Sequence, residues 1–397
     1  MTIPGFTIPG LTKRPQAPTP PGTTLPQPPA GPGVGPTPGE APALPGAAEA
    51  PAPAALGPPK VGLLLPLSGS SAALGQAMLA ASEMALFDAS DNGVELLPRD
   101  TQGAAPGAAA AARDVIAQGA KLIIGPLLAA EVAAVKPVAA QAHVPVLAFS
   151  NAAQYAGNGV FLLGFQPSQE ISRVVLYAKA KGYGRFAMLA PDSAYGNIAV
   201  NAFKDTVQAS GATLARIDHY DPAATNLDPA VKRFAAGAAF DALMIPDGDG
   251  RLKLLAPLLP YDGIDPDTVK FLGTGLWDEA GLGVEPALNG GWYAAPAPEL
   301  RATFQQRYLA LYKQQPPRLA TFGYDATALA VALAKAAPDG GYSPETLTNP
   351  SGFSGLDGLF RLNPDGMTQR GLAVLEVQRG VPVVIDPAPA NFQALGQ

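Results

Sequence analysis

The stretch VGLLLPLSGSSAALG, residues 61–75, decides the fold of this chain. An apolar run, Val61-Gly62-Leu63-Leu64-Leu65, ends at Pro66. A strand with one wet face alternates apolar and polar residues. A run that is apolar throughout belongs to a strand covered on both faces, the kind that parallel sheets contain. Leu67-Ser68-Gly69-Ser70-Ser71 then supplies a loop of small residues, and a helical pattern opens near Ala72. Such a loop lies at the strand's carboxyl end, the edge where open α/β sheets bind ligands.

Downstream, the unit repeats. Residues 75–89 read as a helix, 94–98 as a strand, 104–118 as an Ala-rich helix, and 121–125 (KLIIG) as a strand. A helix over 130–142 and a strand over 144–149 (VPVLAF) complete the first series. Alternating strands and helices make a parallel, doubly wound sheet. A second series follows, with strands expected at 185–190, 213–218, 242–246 and 269–274 and helices between them. Residues 291–295 (GWYAA) read as a link. Helices are expected over 299–314 and 325–337, the second with Asp325 as a plausible N-cap. Residues 358–362, 373–377 and 381–385 alternate like a β-meander.

Residues 1–59 differ in kind. They hold 18 of the chain's 44 prolines and almost no large apolar residues. Such a segment buries too little apolar surface to offset its ordering entropy, so a disordered or polyproline tether is expected. The net charge of −6 shows no basic nucleic-acid footprint, and the absence of cysteine removes disulfides and thiolate chemistry. His143 and His219 lack ligand-like spacing, so neither metal nor cofactor is expected. No apolar run is long enough to span a membrane, and the first residues lack the charged start and apolar core of a signal peptide. Nucleophile-elbow, phosphate-loop and S-x-x-K motifs do not occur, which argues against an enzyme.

Five markers occur in a telling order: LLLPLSGSSAALGQAM (63–78), IIGPL (123–127), PVLAFSNA (145–152), PDSAYGNIAVNAF (191–203) and GYDATALAVAL (323–333). Together they resemble the type I periplasmic binding protein family, in its branched-chain amino-acid receptor branch. GPL after the third strand and PVLAFSN after the fourth look most like the lipoproteins that activate penicillin-binding proteins. The resemblance implies two doubly wound lobes joined by three crossovers, with a ligand cleft between them. It places lobe one at about 60–163 and 296–346, lobe two at about 164–290 and 356–386, and a flexible tail at 387–397. The crossings are expected near 160–164, 290–295 and 347–355.

The resemblance also implies site residues. Amino-acid-binding relatives hold a carboxylate with hydroxyls and backbone N–H groups after strands three and four. Here Leu127 and Leu128 replace the first hydroxyls, while Ser150 and Asn151 remain polar ahead of Ala152-Ala153. Ser68, Ser71, Leu127, Leu128, Ser150 and Asn151 are therefore expected to face the cleft. Tyr195 matches the family tyrosine that reaches across from lobe two. Asp247 or Asp249 stands where relatives place an acid for a ligand ammonium, and Trp277, Phe165 and Tyr324 are aromatic candidates. Asp247-Gly248-Asp249-Gly250 is a poor calcium loop, because Arg251 takes the third ligand position. Asp100 reads as a cap or hinge residue. Two functions compete: a periplasmic solute receptor serving an ABC permease, and an activator that touches a penicillin-binding protein. Either would be tethered to the membrane in a longer precursor.

Overall fold

Val61, Leu63, Leu64 and Leu65 are all fully buried, and they point to opposite sides of one sheet. Val61, Leu63 and Leu65 join one core cluster and Leu64 joins another, which is why the run contains no polar residue. They belong to strand β1 (Lys60–Leu65), in a computed structural model that describes residues 57–89, 93–237, 239–279, 281–336, 341–379 and 381–393, apart from the side chain of Asp249. The expected tether therefore lies, as far as residue 56, outside the described residues.

The first lobe is built on β1, β2 (Glu95–Asp100), β3 (Leu122–Ile124), β4 (Val146–Ala148) and β5 (Val160–Leu162), paired in the parallel order β2-β1-β3-β4-β5. Helix α1 (Ala72–Asp88) covers one face, and α2 (Ala105–Ala117) and α3 (Ala129–Gln141) cover the other. A Cβ at Gly62 would stand 2.6 Å from Val115 Cγ2, so glycine lets α2 lie close on β1.

The chain crosses at residues 163–166 into a second lobe. Helix α4 (Pro167–Ala180), β6 (Arg185–Pro191), α5 (Ala194–Ala209), β7 (Thr213–Tyr220), α6 (Asp228–Ala235), β8 (Ala242–Ile245), α7 (Asp249–Leu255), α8 (Leu258–Tyr261), β9 (Lys270–Gly273) and β10 (Trp292–Ala295) follow in order. The parallel strands run β7-β6-β8-β9-β10. Helices α4 and α5 pack on one face and α6 to α8 on the other. Residues 291–295 are thus mainly the buried strand β10, and the second crossing falls after it, at 296–298.

Helices α9 (Glu299–Tyr312), α10 (Ala320–Ala336) and α11 (Pro344–Leu347) return to lobe one, where Phe304, Tyr308 and the inner face of α10 join its core. Asp325 does not cap a helix. It sits inside α10, buried, and accepts N–H groups from Leu356 at 2.8 Å and Asp357 at 3.3 Å. The supposed meander divides. Strands β11 (Phe353–Gly355), β12 (Gly358–Leu362) and β13 (Thr368–Arg370) form a separate antiparallel sheet whose Phe353, Phe360 and Leu362 pack into lobe one. Only β14 (Ala373–Glu376) and β15 (Val383–Asp386) extend the second sheet, antiparallel. The third crossing accordingly lies at Gly371, not at 347–355, because Arg370 ends β13 while Leu372 joins lobe two. Residues 387–393, expected to be loose, include a buried Phe392 whose ring lies 4.6 Å from the Arg361 guanidinium.

Candidate functional site

Loops at the carboxyl ends of both sheets meet around a cavity of about 570 Å³. Lobe one supplies Ser71 and Leu74 from the start of α1, Leu127 to Ala129 after β3, Phe149 to Asn151 after β4, and Arg318, Leu319 and Phe322 around the start of α10. The first crossing supplies Gly164 and Phe165. Lobe two supplies Pro167 and Glu170 of α4, Tyr195 of α5, Gly275, Leu276, Asp278 and Glu279 after β9, and Ala295 of β10. The volume suits a small organic molecule, and the wall is mostly apolar with few polar groups. Phe149 and Phe322 stack at 6.3 Å with 5° between their planes, and Phe165 tilts onto Phe322 at 4.7 Å.

Of the expected site residues, Ser71, Leu127, Leu128, Ser150, Asn151 and Tyr195 line this cavity, as does Phe165. Others stand elsewhere, each for a local reason. Ser68 is drawn away by Asp100, which accepts its hydroxyl at 2.6 Å and its N–H at 3.2 Å. Asp100 also accepts Leu67 N–H at 2.9 Å and Gln102 N–H at 2.7 Å, so it caps the loop. The Ser68 hydroxyl is the main reason its carboxyl stays below the usual range. Asp247 is taken up by the Tyr220 hydroxyl and by Gly248 N–H at 2.8 Å, outside the wall. The side chain of Asp249 lies outside the described residues. Trp277 belongs to the core of lobe two, 1% exposed, and donates to the Ile245 carbonyl at 3.2 Å. Gly273 makes room for its indole, since a Cβ there would approach Trp277 Cδ2 to 2.1 Å. Tyr324 is buried and donates to Asp88 at 2.7 Å.

The wall's charges come mostly from residues outside any motif. Arg301 and Arg318 of lobe one grip Asp278 of lobe two: Arg301 at 2.7 and 3.0 Å, Arg318 at 3.0 Å. Arg318 also pairs with Asp357 at 2.9 Å and donates to Thr321 at 3.2 Å. Its guanidinium lies 4.6 Å from the ring centre of Phe165. Glu170 is 4% exposed, and its Oε2 accepts Gly275 N–H at 3.0 Å. Burial pushes its carboxyl up to about 7; Asp278 adds to the rise, while Gly275 N–H, Arg318 and Arg370 oppose it. Burial raises the Tyr195 hydroxyl strongly, the Glu170 charge adds to this, and the hydroxyl shares a 2.9 Å bond with Thr274 Oγ1.

The family model described as periplasmic binding protein matches residues 58–381, both lobes and the cavity between them. The chain belongs to the periplasmic binding protein family. Solved structures of similar fold include a putative branched-chain amino acid ABC transporter protein from Rhodospirillum rubrum, 20% identical, with TM-score 0.74, covering 83% of this chain and 100% of that one. A solute-binding protein from Rhodopseudomonas palustris BisB5, in complex with 3,4-dihydroxybenzoic acid, is 20% identical with TM-score 0.63, covering 83% and 98%. The substrate-binding protein LivJ of Streptococcus pneumoniae, in complex with isoleucine, is 19% identical with TM-score 0.61, covering 83% and 100%. No curated protein sequence matches the chain.

Membership of the periplasmic binding protein family implies an extracytoplasmic place of work, and the family and these relatives are binding proteins. Among the described residues no helix is long and apolar enough to cross a membrane, and no cluster of acidic and histidine side chains could hold a metal. For this periplasmic binding protein, sequence reasoning passed over Glu170, Asp278, Arg318 and Phe322. Glu170 follows Pro167 at the start of α4, where an acid reads as an ordinary helix-start residue. Its cavity face depends on the first crossing, which periodicity does not reveal.

Proposed function

We propose that the chain is a non-catalytic solute receptor of an ABC transporter that holds a small amino-acid-like molecule with an apolar body between its lobes. One observation carries this reading: the interlobe cavity is walled by Phe149, Phe165 and Phe322 on one side and by polar groups, Tyr195 and Glu170 among them, from the other lobe. A ligand touching both walls favours the closed arrangement by its differential contacts. Isoleucine and dihydroxybenzoate, present in two structures of similar fold, are small molecules with an apolar body and a polar end. The Pro- and Gly-rich composition of residues 1–56 suits a tether that keeps such a receptor at a membrane surface. Cell fractionation tests this, with recovery in the membrane pellet expected.

A thermal-shift screen against amino acids, amines, aromatic acids and cell-wall fragments tests the receptor reading. Ligand at 100 times Kd adds about 2.7 kcal/mol to stability, so at least one class should raise Tm by a few degrees. A flat response across the panel would remove the receptor reading. Binding to a penicillin-binding protein would then be the next measurement.

A further inference from the structure

We propose that the cavity takes a small amine lacking a carboxylate, with its ammonium on Glu170 and its apolar body against Phe149, Phe165 and Phe322. This rests on the receptor reading above, with its interlobe site for a small molecule of apolar body, and replaces the amino-acid-like ligand by an amine without the carboxylate. Glu170 is more than nine-tenths buried, and among the described residues its Oε1 has no hydrogen-bond partner and its carboxyl no ion pair, although the side chain lines the cavity. Burying a carboxylate without a partner is costly, and a bound ammonium removes that cost. Arg318 and Arg370 favour its charge from a distance, but neither forms an ion pair with it. Asp278 is held by Arg301 and Arg318, while Arg318 is held by Asp278, Asp357 and Thr321.

Four of the backbone positions that could hold a carboxylate are engaged or lack an N–H. Helix N-termini attract anions through free N–H groups, yet Leu128 N–H at the start of α3 donates to Glu131 Oε2 at 3.0 Å. Pro167 opens α4 with no N–H to give. After β4, Ala152 N–H is taken by Ser150 Oγ at 3.2 Å, and at α5 Gly196 N–H is taken by Ser193 Oγ at 3.1 Å. A ligand carboxylate beside Glu170 would therefore meet like charge, and these four positions give it no donor.

Glu170 is faced by Arg318 and Asp278 from neighbouring loops, by Arg370 of β13 and by Tyr195 of α5. An ammonium favours its ionised form, so amine affinity should rise with pH through about 7, and binding below that pH should release a proton. Isothermal titration of the full chain at about pH 8 and about pH 6 tests this, with phenethylamine and 3-methylbutylamine set against phenylalanine, leucine and phenylacetate. The amine that fits should bind at least about tenfold more tightly than its amino acid, and phenylacetate should give no heat. Glu170→Gln, which keeps an acceptor for Gly275 N–H, should lower amine affinity by at least about tenfold and abolish its pH dependence, while its thermal transition remains cooperative. Tighter binding of an amino acid or of phenylacetate, or unchanged amine binding by Glu170→Gln, overturns the proposal. Failure of both amines while another solute shifts Tm overturns the ligand class alone. Silence across the whole panel overturns the receptor reading beneath it.

Discussion

Ser68 and Ser150 both follow buried parallel strands, yet only Ser150 reaches the cavity wall. The difference is Asp100, which ends the neighbouring strand β2 and gathers the loop after β1 through its carboxylate. Such a partner is 32 residues away in sequence, so no local pattern marks it. Tyr195 was legible from its motif, and its hydroxyl bond to Thr274 makes it testable. Tyr195→Phe should weaken ligand binding by about 0.5–1.5 kcal/mol, read by titration, if the hydroxyl serves the ligand. Glu170 was not legible, and its titration gives a second prediction. Its folded pKa of about 7 lies above the ordinary glutamate value of 4.5, so the folded state binds more protons between these two values. Stability supplied by the neutral form is complete below about 4.5 and is lost as pH rises through about 7. Asp325, raised by burial and by the charge of Asp357, acts in the same direction. Tm without ligand should therefore fall as pH rises through this window, and Glu170→Gln should make the fall shallower. A Tm that rises across the window would contradict the assignment.

At the scale of elements, the apolar run of β1 was readable because burial on both faces leaves a plain mark in composition. Leu63→Ala should cost about 2–5 kcal/mol in denaturant unfolding, since Leu63 is fully enclosed. The start of α3 was readable only in part. Leu128 stands at its N-cap without a side-chain acceptor, and Glu131 supplies one from the third helical position. Glu131→Ala should destabilise the chain by about 0.5–2 kcal/mol through loss of this cap. Strand β10 was misread as a link because the Gly291 before it and the Ala294-Ala295 at its end are small and its length is short. Its burial comes from β9 on one side and β14 on the other, the latter paired across 78 to 84 residues of chain, where register is not visible. Asp325 was misread for a related reason. Its partners are backbone N–H groups of Leu356 and Asp357, and Gly355 leaves room for its carboxylate, since a Cβ there would come within 2.5 Å.

Over the whole molecule, two βα series were enough to see two lobes, and the markers at 63–78 and 191–203 placed them in order. The position of the third crossing was not visible, because β11 to β13 pair only with one another and contribute their aromatic residues to lobe one. Between the lobes, Asp278 and Arg301 are 6% and 8% exposed, and Arg318 shares the same carboxylate. Removing one partner of a buried pair leaves an uncompensated charge, at a cost of about 3–5 kcal/mol when no water can enter. Opening the lobes would hydrate the stranded arginines, so Asp278→Asn should shift the chain towards an open form, with a larger radius of gyration in X-ray scattering. An unchanged radius would mean that the pair does not hold the lobes together. The central claim is one small-molecule site per chain, between the lobes. Titration of the strongest ligand from the thermal screen into the native chain and into Leu276→Arg tests it most directly. Leu276 lines the cavity yet is 39% exposed, so an arginine there obstructs the site with little cost to the core. A saturable one-to-one isotherm in the native chain, weakened by at least about tenfold in the variant, is the expected result. Equal affinity in both proteins would place the ligand elsewhere and contradict the interlobe site.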